Sequence, residues 1–114
     1  MLKKKICSLS QLENNNYFKT WVKEFKDEII VFRNDKKIYV KSSICPHFGG
    51  PLSYDKIKKH LFCHWHGLEF SLDGKCLNQK TFKACLNNYD YKLKGNYIYI
   101  LLKVINNGRL YPSK

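Results

Sequence analysis

Two short segments of this 114-residue chain carry side chains that can bind metal as a set. The first is Cys45-Pro46-His47-Phe48-Gly49-Gly50-Pro51-Leu52; the second is Cys63-His64-Trp65-His66-Gly67. Cys45 and His47 form a Cys-x-His pair, Cys63 and His66 form a Cys-x-x-His pair, and fifteen residues separate His47 from Cys63. Each pair offers one soft thiolate and one imidazole, a donor set suited to zinc or to an iron–sulfur centre of mixed ligation. A pair at this spacing converges on one centre only if the backbone turns sharply. Pro46 restricts its neighbours, and Gly49, Gly50 and Gly67 supply bends and close approach.

The remaining sequence has to hold these two loops against each other. Residues 3–7 and Tyr17 to Val22 are strand candidates, with a polar loop through Asn14-Asn15-Asn16 between them. Glu28-Ile29-Ile30-Val31-Phe32-Arg33 and Lys37-Ile38-Tyr39-Val40-Lys41 are β-branched and aromatic, with Asn34-Asp35 between them as a turn, and this hairpin leads into Cys45. A connection through Tyr54 to His60 precedes a short strand at Leu61-Phe62-Cys63. Leu68 to Leu72 alternates as a strand, and Asp73-Gly74 turns the chain into Lys75-Cys76-Leu77. After a loop over 78–88, Tyr89 to Leu93 pairs with Tyr97 to Leu102 across Gly95-Asn96. No helical pattern of useful length and no repeat is present, so the expected fold class is all-β. One domain is expected over 1–105, with a metal-binding subdomain at about 43–76 and a fraying tail at 106–114.

Composition narrows the function classes. The chain is 44% apolar, and eight Tyr and seven Phe favour strands. At this length roughly 65% of the unfolded surface is buried on folding. No apolar run approaches the about 18 residues of a membrane span, and Ser8, Ser10 and Gln11 interrupt the basic start before a signal-peptide core can form, so a cytoplasmic protein is expected. Five cysteines at irregular spacing argue against a disulfide framework. Cys7, Cys76 and Cys85 are expected as small packing residues, with a Cys76–Cys85 bridge as an unsupported alternative. The net charge of +12 lies on the flanks: residues 1–44 carry ten Lys/Arg against five acids, 45–75 four against three, and 76–114 seven against one. Such a frame suits an acidic protein, nucleic acid or an anionic membrane, or reflects a Lys- and Asn-rich genome.

The longer signature separates zinc from iron. Cys-Pro-His-x-Gly-x-x-Leu, then Cys-x-x-His-Gly fifteen residues after the first His, with Phe70 three residues beyond Gly67, resembles the Rieske 2Fe–2S proteins. The resemblance covers roughly residues 3–104 and includes the hairpin before Cys45, the Asp73-Gly74 turn and the last hairpin. It implies an antiparallel β-sandwich or barrel with a small cluster-binding subdomain of two hairpin loops. One iron would be held by Cys45 and Cys63, the other by His47 and His66. Imidazoles in place of thiolates raise the potential above that of all-Cys centres.

Departures from the family pattern refine this. In members from cytochrome bc complexes each loop carries an extra Cys and the two form a disulfide; here those places hold Gly50 and Trp65. A Ser that donates to a cluster sulfur there is Leu68 here. Fewer donors to the sulfurs place the potential at the low end of the Rieske range, with the ferredoxins and oxygenases. At physiological salt twelve charges about 15 Å away shift a one-electron potential by only about 20 mV, so the basic frame bears on docking instead. His64 stands where Pro is common and is expected to point away from the cluster or to titrate near it; His60 is expected to face solvent. Trp65 is expected to shield the cluster or to pack in the core, and Phe70 and Leu52 to pack.

Four His leave no room for the separate mononuclear iron of a complete Rieske oxygenase. The resemblance therefore implies a small soluble ferredoxin that takes single electrons from a reductase to an oxygenase or similar enzyme, with the basic frame meeting an acidic partner surface. The alternative is a permanently docked subunit of a multi-chain oxidoreductase of the oxygenase or nitrite-reductase kind. A zinc-stabilised nucleic-acid binder would use the charge but leaves the signature beyond four donors unexplained; no nucleic-acid partner is expected.

Overall fold

The computed structural model describes residues 2–13, 16–45, 49–65, 67–77, 86, 88–104 and 110–112. Its strands are β1 (Leu2–Ser8), β2 (Tyr17–Val22), β3 (Asp27–Asn34), β4 (Lys37–Ser42), β5 (Leu52–Asp55), β6 (His60–Cys63), β7 (Glu69–Phe70), β8 (Tyr91–Lys94), β9 (Tyr97–Val104) and β10 (Leu110–Pro112). A short 3-10 helix, Leu9–Leu12, follows β1. All pairing is antiparallel. One sheet is built on β9, which pairs with β1, β8 and β10; a second runs β2-β3-β4; a third runs β5-β6-β7. The fold is all-β, as the patterning implies. No helix among the described residues is long and apolar enough to cross a membrane.

β3 is the spine. Ile29, Ile30, Val31 and Phe32 are all fully buried, whereas a strand covered on one face alternates. Successive side chains point to opposite faces, so the two sides of β3 enter different cores. Ile29 and Val31 join Cys7, Leu12, Val22, Ile38, Val40, Tyr89, Ile98 and Ile100, between the second sheet and the β9 sheet. Ile30 and Phe32 join Cys45, Leu52, Tyr54, Leu61, Cys63, Leu68, Phe70 and Leu86, between the second sheet and the third. Phe32 is stacked between Tyr39 and Tyr54, with ring centroids at 5.0 and 4.8 Å.

Several boundaries differ from the sequence-based expectation. The β3–β4 turn falls on Asp35-Lys36, because Asn34 still pairs with Lys37 and Asp35 takes the left-handed conformation at φ 57°, which Asp tolerates. The strand expected at 68–72 is only Glu69–Phe70. The Ser71 N–H bonds the Lys75 carbonyl and the Gly74 N–H the Ser71 carbonyl, closing the Asp73-Gly74 turn early. The last hairpin turns at Gly95-Asn96, but its first arm begins at Tyr91. Tyr89 is drawn inward instead: its N–H bonds the Val40 carbonyl and its hydroxyl bonds Asp27. Residues 110–112 of the expected tail form β10 on β9. Most of the loop expected at 78–88, with Cys85, lies outside the described residues.

Candidate metal centre

The two segments singled out by their donors close in the same way. The Cys45 N–H donates to the Gly50 carbonyl at 2.8 Å, and the Gly49 N–H donates back to the Cys45 carbonyl at 2.8 Å. The Cys63 N–H donates to the Leu68 carbonyl at 2.8 Å, and the Gly67 N–H returns to the Cys63 carbonyl at 3.2 Å. Each Cys thus bonds residues four and five positions ahead. The residue four ahead is in both cases a glycine at positive φ, 76° for Gly49 and 68° for Gly67. A side chain there would be strained by the backbone alone, since nothing lies within 4 Å of either built Cβ.

The turns are also tied to each other. Leu52 is paired with Cys63 across β5 and β6, the His64 N–H donates to the Pro51 carbonyl, and the Leu52 N–H donates to the Ser43 carbonyl. They also meet at Gly50. A Cβ on Gly50 would meet the Cys63 Sγ at 2.8 Å and two atoms of the Trp65 ring at 3.0 Å. Only a residue without a side chain fits between them. Gly50 and Trp65, the positions that hold a disulfide in one branch of the resembled family, are therefore in contact, and ring packing links the loops. Trp65 is nonetheless 61% exposed, so it covers the outside of the loops and is not a core residue.

Both thiols are buried, 2% exposed each, among Leu52, Leu61, Leu68 and Phe70. Leu52 and Phe70 pack as expected. The first turn is fastened to the frame by a polar cluster that the sequence did not single out. The Ser43 hydroxyl donates to Glu28 Oε1 at 2.6 Å and its N–H to the Glu28 carbonyl. Lys19 Nζ lies 3.4 Å from Glu28 Oε1 and donates to the Leu52 carbonyl at 2.8 Å. No local motif marks these residues, because the contacts join different strands and the segment after β4, with Ser43 and Glu28 15 positions apart and Lys19 and Leu52 33 apart. Burial, with the Asp35 charge next, holds the Tyr54 phenol above its ordinary pKa, so it stays neutral beside the thiols.

The two spare imidazoles are occupied elsewhere. His64 Nε2 lies 2.7 Å from the Ser53 hydroxyl, and its ring rests 4.8 Å from that of Phe62. It points away from the thiols, as expected. His60 corrects the expectation that it faces solvent: its side chain is 16% exposed, with Nε2 3.4 Å from Glu69 Oε1, because Glu69 pairs with Phe62 on the neighbouring strand. Cys7 is a core filler as expected, and burial pushes its thiol up to about 11. Cys76 packs against the core that holds Cys45 and Cys63. His47, His66 and Pro46 lie outside the described residues. Among the described residues no three His, Cys, Asp or Glu side chains gather to hold a metal ion.

The family model for the Rieske [2Fe-2S] domain matches residues 3–90. The chain belongs to the Rieske 2Fe–2S domain family. Its cofactor is accordingly a Rieske-type 2Fe–2S cluster. The described half of the Rieske site fits that group: two buried thiols, each at the head of a turn closed by backbone bonds, with a glycine keeping Cys63 Sγ clear. Solved structures share the fold. The plasma-membrane Rieske protein PetC3 of Synechocystis PCC 6803 has 22% identity and a TM-score of 0.72, over 86% of this chain and 98% of that one. The ferredoxin of carbazole 1,9a-dioxygenase from Nocardioides aromaticivorans IC177 has 19% identity and a TM-score of 0.72, over 88% and 97%. A complex of reduced oxygenase and oxidized ferredoxin in carbazole 1,9a-dioxygenase matches at 17% identity and a TM-score of 0.71, over 86% and 91%. A search of curated protein sequences finds no match.

Proposed function

We propose that this protein is a small soluble, cytoplasmic Rieske-type electron carrier, with Cys45 and Cys63 holding one iron and His47 and His66 the other. The observation that carries this reading is the pair of matching closed turns. Each starts at a buried Cys and is fastened at a left-handed glycine four residues on; the first encloses His47 in its sequence, and the second encloses His66 together with His64, whose ring is engaged with Ser53. Among the described residues the other two imidazoles are engaged elsewhere, His60 with Glu69 and His64 with Ser53. The cluster, when bound, supplies one-electron oxidation and reduction. The chain contributes fixed thiols, a wall of Leu52, Leu61, Leu68 and Phe70 that excludes water, and a stiff link to β3 through Ser43 and Glu28.

The domain boundaries of this proposal are 1–105, with about 43–76 as the cluster-binding part and 106–114 as a tail that returns to the β9 sheet through β10. Similarity in fold to a ferredoxin that forms a complex with an oxygenase supports a single-electron route from a reductase to an oxygenase or similar terminal enzyme. Leu68 and Gly50 in place of a Ser donor and a Cys support a potential at the low end of the Rieske range. Metal and sulfide analysis of the purified protein tests the reading. About two irons and two labile sulfides per chain are expected; one zinc and no sulfide would sink it.

A further inference from the structure

The outer face of the β9 sheet is a basic platform. Residues 97, 99 and 101 of β9 face outward, since Ile98 and Ile100 between them are fully buried. Lys92 pairs with Tyr99 and Lys94 with Tyr97 across β8. From β1, on the other side of the strand, Lys3 Nζ lies 5.1 Å over the Tyr99 ring and Lys5 Nζ 4.6 Å over the Tyr97 ring. All four lysines are exposed. No acidic residue occurs in β1, β8 or β9. Among the described residues none of the four forms a salt bridge, whereas Lys4, on the other face of β1, pairs with Glu24 at 2.7 Å. The crowding is felt: the charge of Lys94 first, then burial and the charge of Lys92, lowers the Lys3 pKa.

This platform is far from the thiols. The first core and the β2-β3-β4 sheet separate it from the second core, where Cys45 and Cys63 lie. Two layers at about 10 Å each put it roughly 20 Å away. We propose that the Lys3, Lys5, Lys92, Lys94, Tyr97 and Tyr99 face docks an acidic protein surface, and that it does so while leaving the cluster end open. It goes beyond the electron-carrier reading, since a contact this far from the thiols leaves electron exchange to the other end, and it rests on that reading only for the partner's role.

Charge complementarity identifies the occupant. Four like charges held on one rigid sheet repel until carboxylates meet them. The ring contacts hold the Lys3 and Lys5 ammonium groups against the sheet, which reduces the conformational entropy lost on docking. The same contacts disfavour single-stranded nucleic acid, whose bases would have to displace ammonium groups to stack on the tyrosines. On one side the face opens into a groove of about 680 Å³ lined by Lys5, Ser8, Arg33 and Tyr97, among others, with Glu13 as its one acid. A carboxylate-bearing loop fits there beside Lys5 and Arg33.

The test measures binding of the cluster-loaded full chain to a polyglutamate peptide at low salt. Lys3→Glu, Lys5→Glu, Lys92→Glu and Lys94→Glu together are compared with the equal charge change at exposed Lys23, Lys26, Lys36 and Lys37. The platform variant is expected to bind at least about tenfold more weakly, the control less than about threefold. Equal losses in the two would overturn the proposal. So would tighter binding of an oligothymidylate or of phosphatidylserine vesicles than of polyglutamate, or a change in the cluster's visible spectrum on binding. If the fourfold variant fails to fold, Lys92→Glu with Lys94→Glu on the exposed strand β8 gives the same comparison. Iron and sulfide content is read separately, so a wrong electron-carrier assignment and a wrong docking face are told apart.

Discussion

The two cores on either side of β3 are built from one strand and similar residues, yet only one of them can host chemistry. Both bury cysteine. On one side Cys7 sits in a strand among aliphatic side chains, where burial holds its thiol protonated up to about 11. On the other, Cys45 and Cys63 are as buried, but each begins a turn whose backbone doubles back through a left-handed glycine. Burial therefore does not distinguish a ligand from a filler. What differs in the described backbone is that the chain after Cys45 and after Cys63 doubles back at a left-handed glycine four residues on, with His47 or His66 between them in sequence.

The sharpest way to break this comparison is to remove the sulfur on each side. Cys63→Ser is expected to lose nearly all iron and, because metal binding is coupled to folding, to unfold at markedly lower denaturant. Cys7→Ala should keep two irons and cost within about 2 kcal/mol. Iron analysis and a urea titration of each variant decide. Equal iron loss in the two would end the distinction.

Truncating β3 on alternate faces is the next largest effect. Phe32→Ala should cost about 3–5 kcal/mol and Ile29→Ala about 2–5 kcal/mol, a comparable loss. Only the Phe32 variant should also release iron, because its ring backs the core that holds the thiols. Visible absorbance followed through thermal melting separates the two.

The glycines give a finer contrast. Gly50→Ala places a methyl 2.8 Å from the Cys63 Sγ and should cost about 1–3 kcal/mol while altering the cluster spectrum. Gly49→Ala meets open space and strains only the backbone at φ 76°, about 1–2 kcal/mol, with the spectrum retained. The smallest effect is on pH. The Cys7 thiol has a folded-state pKa of about 11 against 9.0 for an unperturbed thiol. The stability it contributes is therefore complete below about pH 9 and lost as pH rises toward about 11. Tyr89, raised by burial and then by Asp27, acts with the same sign. Urea midpoints at about pH 8 and about pH 10.5 should fall more for the parent chain than for Cys7→Ala.

Much of this was legible in the chain itself. The four donors and their glycines stand in one stretch, and the strands that frame them are marked by alternating β-branched residues. Other features were not. The continuous run Ile29-Ile30-Val31-Phe32 marks a strand, but that its two faces enter different cores depends on which sheets cover it. Ser43, Glu28 and Lys19 become a unit only when β2, β3 and the chain after β4 are side by side. The partial burial of His60 likewise follows from the register that sets Glu69 opposite Phe62. Trp65 left two roles open, and its exposure excludes the core role.

The central claim is that two imidazoles, from His47 and His66, complete the site begun by Cys45 and Cys63. Pulsed spin resonance on the reduced protein carrying nitrogen-15 histidine measures this directly. Two distinct histidine nitrogen couplings to the cluster are predicted, with one lost in His47→Cys and the other in His66→Cys. A reduced cluster without histidine couplings, or couplings that survive both substitutions, would contradict it.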